Sequence, residues 1–161
     1  MMPLHHRVIV ATMQDQPGVL NRVSSLFRRR NFNIESLTVG HTDQPGISRM
    51  TIVVDGARTD AEQVIKQLYK LIEVTKVSDV TNDAVIAHEL ALIKVNATTS
   101  RRPEVLQLAS VYNAAILDVT PDSVLMQAAG SEETIDGFVS VLRSFGIKDM
   151  VRTGVVAMTK G

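Results

Sequence analysis

The stretch VIVATMQDQPGVLNRVSSLF, residues 8–27, decides how this chain is read. Val8 to Met13 is an apolar, strand-like run that breaks at Gln14-Asp15-Gln16-Pro17-Gly18. Behind the break Val19, Leu20, Val23, Leu26 and Phe27 recur at helical spacing. Pro17 has no N–H to leave unpaired and suits a first helical turn. Gly18 permits close approach to the backbone, where free N–H groups and the helix dipole favour an anion. The stretch reads as strand, turn and helix, with a carboxylate cradle at the turn. Taken bare, a Pro-Gly pair is more often a plain strand-to-helix turn.

Outward from that stretch the pattern continues as an alternation. Residues 6–14 read as a strand, 33–41 and 47–54 as two more around a turn-rich loop at 42–46, and 74–80 as a fourth. Thr59 with Glu62 suggests a capping box for a helix whose apolar face is Val64, Ile65, Leu68 and Ile72. The first eighty residues are therefore β-α-β-β-α-β, the ferredoxin-like order. Thr81-Asn82-Asp83 is a short polar joint, after which the order repeats. A strand at 90–95 precedes a helix started by Pro103, which carries Val105, Leu108, Ala109 and Tyr112. Strands at 115–119 and 124–128 flank the turn at Pro121-Asp122. Ser131 caps a helix with Ile135, Phe138, Val139 and Leu142 inward, ended by Gly146, and 151–158 closes the unit. The fold class is α+β, two ferredoxin-like domains over 1–81 and 82–161.

Composition narrows the function. The 161 residues are 45% apolar and 21% charged, with seventeen basic and seventeen acidic side chains. No net field is offered to nucleic acid or to an anionic membrane, and two Tyr, four Phe and no Trp make a poor base-stacking platform. The lack of Cys excludes disulfides and thiolate chemistry and suits a cytoplasmic protein. No apolar run reaches membrane-spanning length, and no signal-peptide core is seen. Catalytic signatures such as G-x-S-x-G, G-x-x-x-x-G-K and G-x-G-x-x-G are missing.

Chain direction sharpens the cradle. In a β-α-β unit the second strand starts at the end opposite the first loop, so Gly18 and Asn33 are expected at opposite ends of one subunit, roughly 15–25 Å apart. The usual strand order leaves 33–41 at an edge, with no Lys or Pro and one internal charge to guard it. Antiparallel pairing with the same strand of a second copy brings Asn33 of one chain towards Gly18 of the other. The candidate site then belongs to a homodimer interface.

At this point the residues resemble a known family. DQPGVL after a strand, within β-α-β-β-α-β, is similar to an ACT domain, an amino-acid-sensing module. NFNIESLTVG, SRMTIVV and KQLYKLIEVTKVSDVT resemble the small, regulatory subunit of acetolactate synthase, and DVTPDSVLMQAAG and RTGVVAMTKG extend the likeness. The resemblance implies a non-catalytic subunit that binds valine or another branched-chain amino acid between two ACT domains. It also implies that the chain activates a separate catalytic subunit, makes it feedback-sensitive, and leaves thiamine diphosphate, magnesium and FAD to that partner.

Carried over, the effector positions are Asp15, Gly18, Val19, Leu20, Asn33 and Ile34. N–H groups around Gly18 and Val19 would hold the carboxylate, Asn33 of the facing chain would bond either end of the ligand, and Leu20 and Ile34 would meet its apolar side chain. Typical members carry Asn where this chain has Asp15, and an Asp accepts from an ammonium but repels a carboxylate. The alternative is a free-standing ACT-type sensor without a synthase partner; a small ferredoxin-like enzyme is a third class.

Other residues take plainer readings. Arg28-Arg29-Arg30 suggests a partner surface, but alone it is a solvated helix end complementing the dipole. His5 and His6 point to opposite faces of a strand, and His41 and His88 have no companions at ligand spacing. Glu132, Glu133 and Asp136 read as a polar helix start, and Met126, Met150 and Met158 as core filler.

Overall fold

In a computed structural model, residues 5–161 are described. The chain divides into two compact units, one built from residues up to 86 together with 155–161, the other from 87–154. The joint expected at 81–83 therefore does not carry the whole division, because the last seven residues belong with the first unit.

The first unit runs β1 (His6–Gln14), α1 (Val19–Arg29), β2 (Ile34–His41), β3 (Ile47–Asp55), α2 (Ala61–Leu68) and β4 (Val74–Asp79). Its antiparallel sheet has the order β2-β3-β1-β4, so β2 is an edge strand as expected. Alternation puts Ile9, Ala11 and Met13 on one face of β1, while Val8 and Val10 on the other face, with Val53 of β3, are buried as well. Ile9, Ala11 and Met13 of β1 and Met50, Ile52 and Val54 of β3 pack with Val19, Val23, Leu26 and Phe27 of α1 and Val64 and Leu68 of α2. The expected helical face of α1 is buried except for Leu20, which is 49% exposed.

Two local expectations give way in α2. Asp60, not Thr59, is the N-cap: its carboxylate accepts from Glu62 N–H at 2.9 Å. The Thr59 hydroxyl is buried and takes Asn33 N–H instead, at 2.7 Å. The helix also stops at Leu68, so Ile72 lies beyond it and is 91% exposed.

The second unit continues through β5 (Val85–Asn96), α3 (Arg102–Val111), β6 (Ala115–Val119), β7 (Ser123–Gly130), α4 (Glu132–Leu142), a 3-10 turn at Arg143–Phe145 and β8 (Ile147–Arg152). The order is β6-β7-β5-β8. Its core joins Ile93, Val95, Met126, Val105, Ile135, Phe138 and Leu142, with Tyr112 stacked on Phe138 at 4.7 Å between ring centroids. Both helix starts anticipated here are present: Pro103 lies in the first turn of α3, and the Ser131 hydroxyl accepts from Thr134 N–H at 3.1 Å.

The single closing strand expected at 151–158 is two. β8 ends at Arg152, Gly154 turns the chain at φ +80°, and β9 (Val156–Thr159) follows, pairing with β5. Arg49 of β3 donates to Ala157 O at 2.6 Å, and Lys160 N–H to Ala84 O at 2.7 Å. Met158, expected in the core, is 64% exposed, whereas Met126 is fully buried. Among the described residues no helix is long and apolar enough to cross a membrane.

Candidate functional site

β1 hands over to α1 through a turn whose bonds follow from its residues. Gln14 N–H goes to Glu73 O at 2.9 Å and Asp15 N–H to Gly46 O at 2.8 Å, which fixes where the strand ends. Val19 N–H then reaches back to Gln16 O at 3.2 Å, closing a β-turn over Gln16–Val19. Pro17 is its second residue and Gly18 its third, at φ +85°, ψ −6°. Those angles define a type II turn, which wants Pro and Gly in those two places. Pro17 therefore precedes the helix rather than opening its first turn, and Gly18 is the N-cap.

A glycine N-cap brings no side-chain acceptor, and the first turn of α1 contains no acidic residue. The N–H groups of Gly18, Leu20 and Asn21 consequently meet no acceptor among the described residues. Val19 N–H, one of the donors expected from the sequence, is taken by Gln16 O, and its side chain is core. The open donors are thus Gly18, Leu20 and Asn21, at the positive end of the helix dipole.

Arg22 is the residue that the sequence reading missed. A Cβ at position 18 would come within 3.2 Å of Arg22 Nη1, so the guanidinium lies against the turn. Its other terminal nitrogen, Nη2, is ion-paired with the buried carboxylate of Glu73. The signal was available: Arg22 is four residues from Gly18, one helical turn on. A cation anchored on one side leaves Nη1 beside the open N–H groups and adds to the positive potential there.

The remaining expected residues sit elsewhere. Asp15 is exposed, its carboxylate 3.3 Å from His41 Nδ1 at the far end of β2. Asn33 precedes β2 and is half-buried, its Nδ2 3.5 Å from Glu35 Oε1. Ile34 packs partly against the first core.

Register gives the separation. Gln14 pairs with Ile47 and Ile34 with Val54, seven residues further along β3. At 3.3 Å per residue that is about 23 Å, so Gly18 and Asn33 of one chain lie at opposite ends of the sheet, as chain direction requires. The outer side of β2 carries only Glu35 as a charge before His41, and the ladder shifts register between Ile34 and Ser36. Within one chain the open N–H groups thus lie at one end of the sheet and the Asn33 amide at the other.

Comparison with known proteins places both halves of the chain. Residues 9–76 match the family described as an AHAS small subunit-like ACT domain, and residues 88–161 the family described as the small subunit of acetolactate synthase. The chain is similar to a probable acetolactate synthase small subunit of Archaeoglobus fulgidus, 49% identical over 95% of this chain and 96% of that protein. It is also similar to the acetolactate synthase small subunit of Bacillus subtilis, 43% identical over 96% and 91%. Among solved structures it matches the acetolactate synthase small subunit of Thermotoga maritima, with a TM-score of 0.89, 34% identity, and coverage of 98% of this chain and 99% of that one.

Proposed function

The chain belongs to the acetolactate synthase small-subunit family, and we propose that it binds a branched-chain amino acid, valine first, between the ACT domains of two copies. The name of its relatives, small subunit of acetolactate synthase, implies a catalytic subunit as partner. In our reading this chain raises that subunit's activity when empty and lowers it when the amino acid is bound. Thiamine diphosphate, magnesium and FAD would be held by the partner.

One observation carries the reading: the type II turn at Gln16–Val19, with open N–H groups at Gly18, Leu20 and Asn21. Three backbone donors and a helix dipole suit a carboxylate. They give the ligand's ammonium and side chain no partner, which is where a second copy enters. β2 is an edge strand, and its antiparallel pairing with a second β2 carries that copy's Asn33 towards this turn. Asn33 Oδ1 would accept from the ammonium, and the exposed Leu20 with the second copy's Ile34 would meet the side chain. One methylene in such a pocket is worth about 1–3 kcal/mol, so leucine and isoleucine should bind in the same place, with affinities within about 200-fold of valine's.

Regulation then follows from linkage. A ligand that contacts both copies prefers the arrangement in which both contacts form, and it shifts the subunit towards that arrangement by its differential affinity.

Calorimetry with valine on the wild type, Gly18→Asp and Asn33→Ala tests the site. Asp at position 18 places a carboxylate among the donors and forces a non-glycine residue to φ +85°; Asn33→Ala removes the second copy's amide. Both should lose at least tenfold in affinity, the scale of one charge-assisted hydrogen bond. Unchanged binding in both sinks the site. Synthase assays with and without the chain, across a valine titration, test the regulation.

A further inference from the structure

A groove of ≈400 Å³ lies between the C-terminal ends of α1 and α2, lined by Leu26, Arg29, Arg30, Gln67, Lys70 and Leu71. Leu26 is buried and Leu71 half-buried, so the groove has an apolar floor. Arg29, Arg30 and Lys70 are exposed along it.

Three cations from two helix ends line this place. Arg7, Arg22, Arg58, Arg101 and Arg152 are each paired with a carboxylate. Among the described residues Arg29, Arg30 and Lys70 have no acidic partner, and no carboxylate lines the groove. In a chain whose charges cancel, this is a local accumulation of positive charge. The helix dipole accounts for Arg28 and Arg29 in the last turn of α1. The dipole of α2 favours Lys70 in the same way, so two helix C-termini bring their cations to one groove.

Two further observations point to an occupant. Gln67 is 7% exposed, and its Oε1 has no hydrogen-bond partner. A buried acceptor in native structure is nearly always satisfied, so this one awaits a donor. Beside Leu71, Ile72 is 91% exposed on the turn after α2. A small inorganic anion would satisfy the cations and leave Ile72 bare and Gln67 Oε1 facing negative charge. An acidic polypeptide segment answers all of these: carboxylates for the cations, an apolar side chain for Leu26, Leu71 and Ile72, and an N–H for Gln67.

We propose that this groove is the surface on which the catalytic subunit of the synthase docks an acidic segment carrying an apolar anchor. The proposal rests on the reading above that the chain acts on such a partner. The groove is at the end of α1 opposite Gly18, about 16 Å away for eleven residues at 1.5 Å each. Effector and partner thus hold the two ends of one helix without competing for space.

The test uses the full chain and the catalytic subunit from the same genome, with binding followed by interferometry and valine binding by calorimetry. Arg29→Glu/Arg30→Glu/Lys70→Glu should weaken binding of the catalytic subunit by roughly thirtyfold or more, the scale of several reversed interface charges. Valine affinity should stay within about twofold, and the melting temperature should fall only slightly, because acids replace cations at two helix C-termini but all three side chains are exposed. Ile72→Ser should cost roughly fivefold, and Arg29→Lys/Arg30→Lys should keep most of the affinity. Added salt should weaken the wild type more than the triple variant.

A triple variant that binds the catalytic subunit as tightly as the wild type overturns the proposal. So does one that keeps the subunit but loses binding of inorganic phosphate, which makes the groove a small-anion site. If the wild type itself does not bind the catalytic subunit, the synthase-partner reading fails, and this proposal falls with it.

Discussion

After β1 the chain reaches α1 through Gln16–Val19; after β5, at the same point of the repeated β-α-β-β-α-β order, it reaches α3 through residues 97–101. The two junctions have the same job and opposite surfaces. At α1 a glycine at φ +85° caps the helix, no acid stands in the first turn, and three N–H groups are open. At α3 Arg101 and Arg102 both donate to Thr98 O, at 3.0 and 2.8 Å, and Pro103 has no N–H to give. Glu104 N–H goes to Arg101 O, and its carboxylate occupies the first turn, where an anion would sit. The Arg101 guanidinium is stacked over Phe145 at 4.2 Å. The open N–H groups are therefore a product of local sequence, not of the fold, which closes this junction as readily as it opens it.

The two repeats do not own equal lengths of chain, and removing residues 155–161 should expose that most strongly. Val155 and Ala157 are buried, and Ala157 O holds Arg49 of β3. Their loss should cost the first unit about 3 kcal/mol or more, from a buried Val at roughly 1.5–3 kcal/mol and the stranded partners. Hydrogen exchange should speed up in β1 and β3 and change little in α3, α4 and β7. Equal effects in both units would show that the tail does not belong to the first one.

How much of this was legible beforehand follows from the range of each signal. The strands and helices came from apolar periodicity, a local property, and β2 at the edge came from chain direction. Ile72 was misplaced because its spacing continues the helix while its structure does not: Lys70 N–H and Leu71 N–H turn back to Gln67 O and Leu68 O. Thr59 and Asp60 are both good caps in adjacent places, and only the distant Asn33 N–H decides between them. The allegiance of β9, and with it the exposure of Met158, depends on pairing across more than seventy residues, which no local pattern carries. At the site, Gly18 was visible as a Pro-Gly turn. The capture of Val19 N–H by Gln16 O required the turn type, and Arg22 required the register of α1 against Glu73.

The repeats can be compared again where first and last strands meet. In the first unit Arg7 of β1 pairs with Asp79 of β4; in the second Glu89 of β5 pairs with Arg152 of β8. Arg7 is two residues before Ile9, whose partner is Asp79, and Glu89 two before Ala91, whose partner is Arg152. The position is equivalent and the polarity reversed. Glu89 is buried and Arg152 also holds Asp136 at 2.7 Å, so the hydrogen bond to Glu89, against the cost of burial, raises the guanidinium pKa further. Arg152→Met should cost about 3 kcal/mol in urea unfolding, at the low end for breaking a buried pair because Arg152 is partly exposed. Glu89→Gln/Arg152→Met should recover part of that loss. A double variant no more stable than the single one would show that the buried charge is not what the single variant suffers from.

Gly18→Ala and Ser100→Ala set the two junctions against each other directly. An L side chain at φ +85° costs roughly 1–2 kcal/mol, and Arg22 Nη1 has to give way as well. Ser100 is exposed and shares only a 3.2 Å hydroxyl contact with Thr98, so its loss should stay within about 0.5 kcal/mol. Comparable destabilisation at both sites would erase the distinction drawn between the left-handed Gly18 and the ordinary junction before α3.

The smallest effect is expected in acid, at the Arg7–Asp79 pair. Burial pushes the Asp79 carboxyl up, but hydrogen bonds from the Thr81 hydroxyl and N–H and the Arg7 guanidinium outweigh it and hold the group below its ordinary value. A carboxylate with a depressed native pKa binds fewer protons folded than unfolded, so its contribution is complete above the unfolded value, about 3.9. That contribution is lost as pH falls through the lower, native value. Asp79→Asn should therefore be less stable than the wild type at neutral pH, and the gap should narrow below about pH 4. Urea titrations of Asp79→Asn from neutral to pH 3 check this, with the intact chain as reference. A gap that stays constant in acid would mean that Asp79 titrates alike in the folded and unfolded chain, and one that widens would mean that folding raises its pKa.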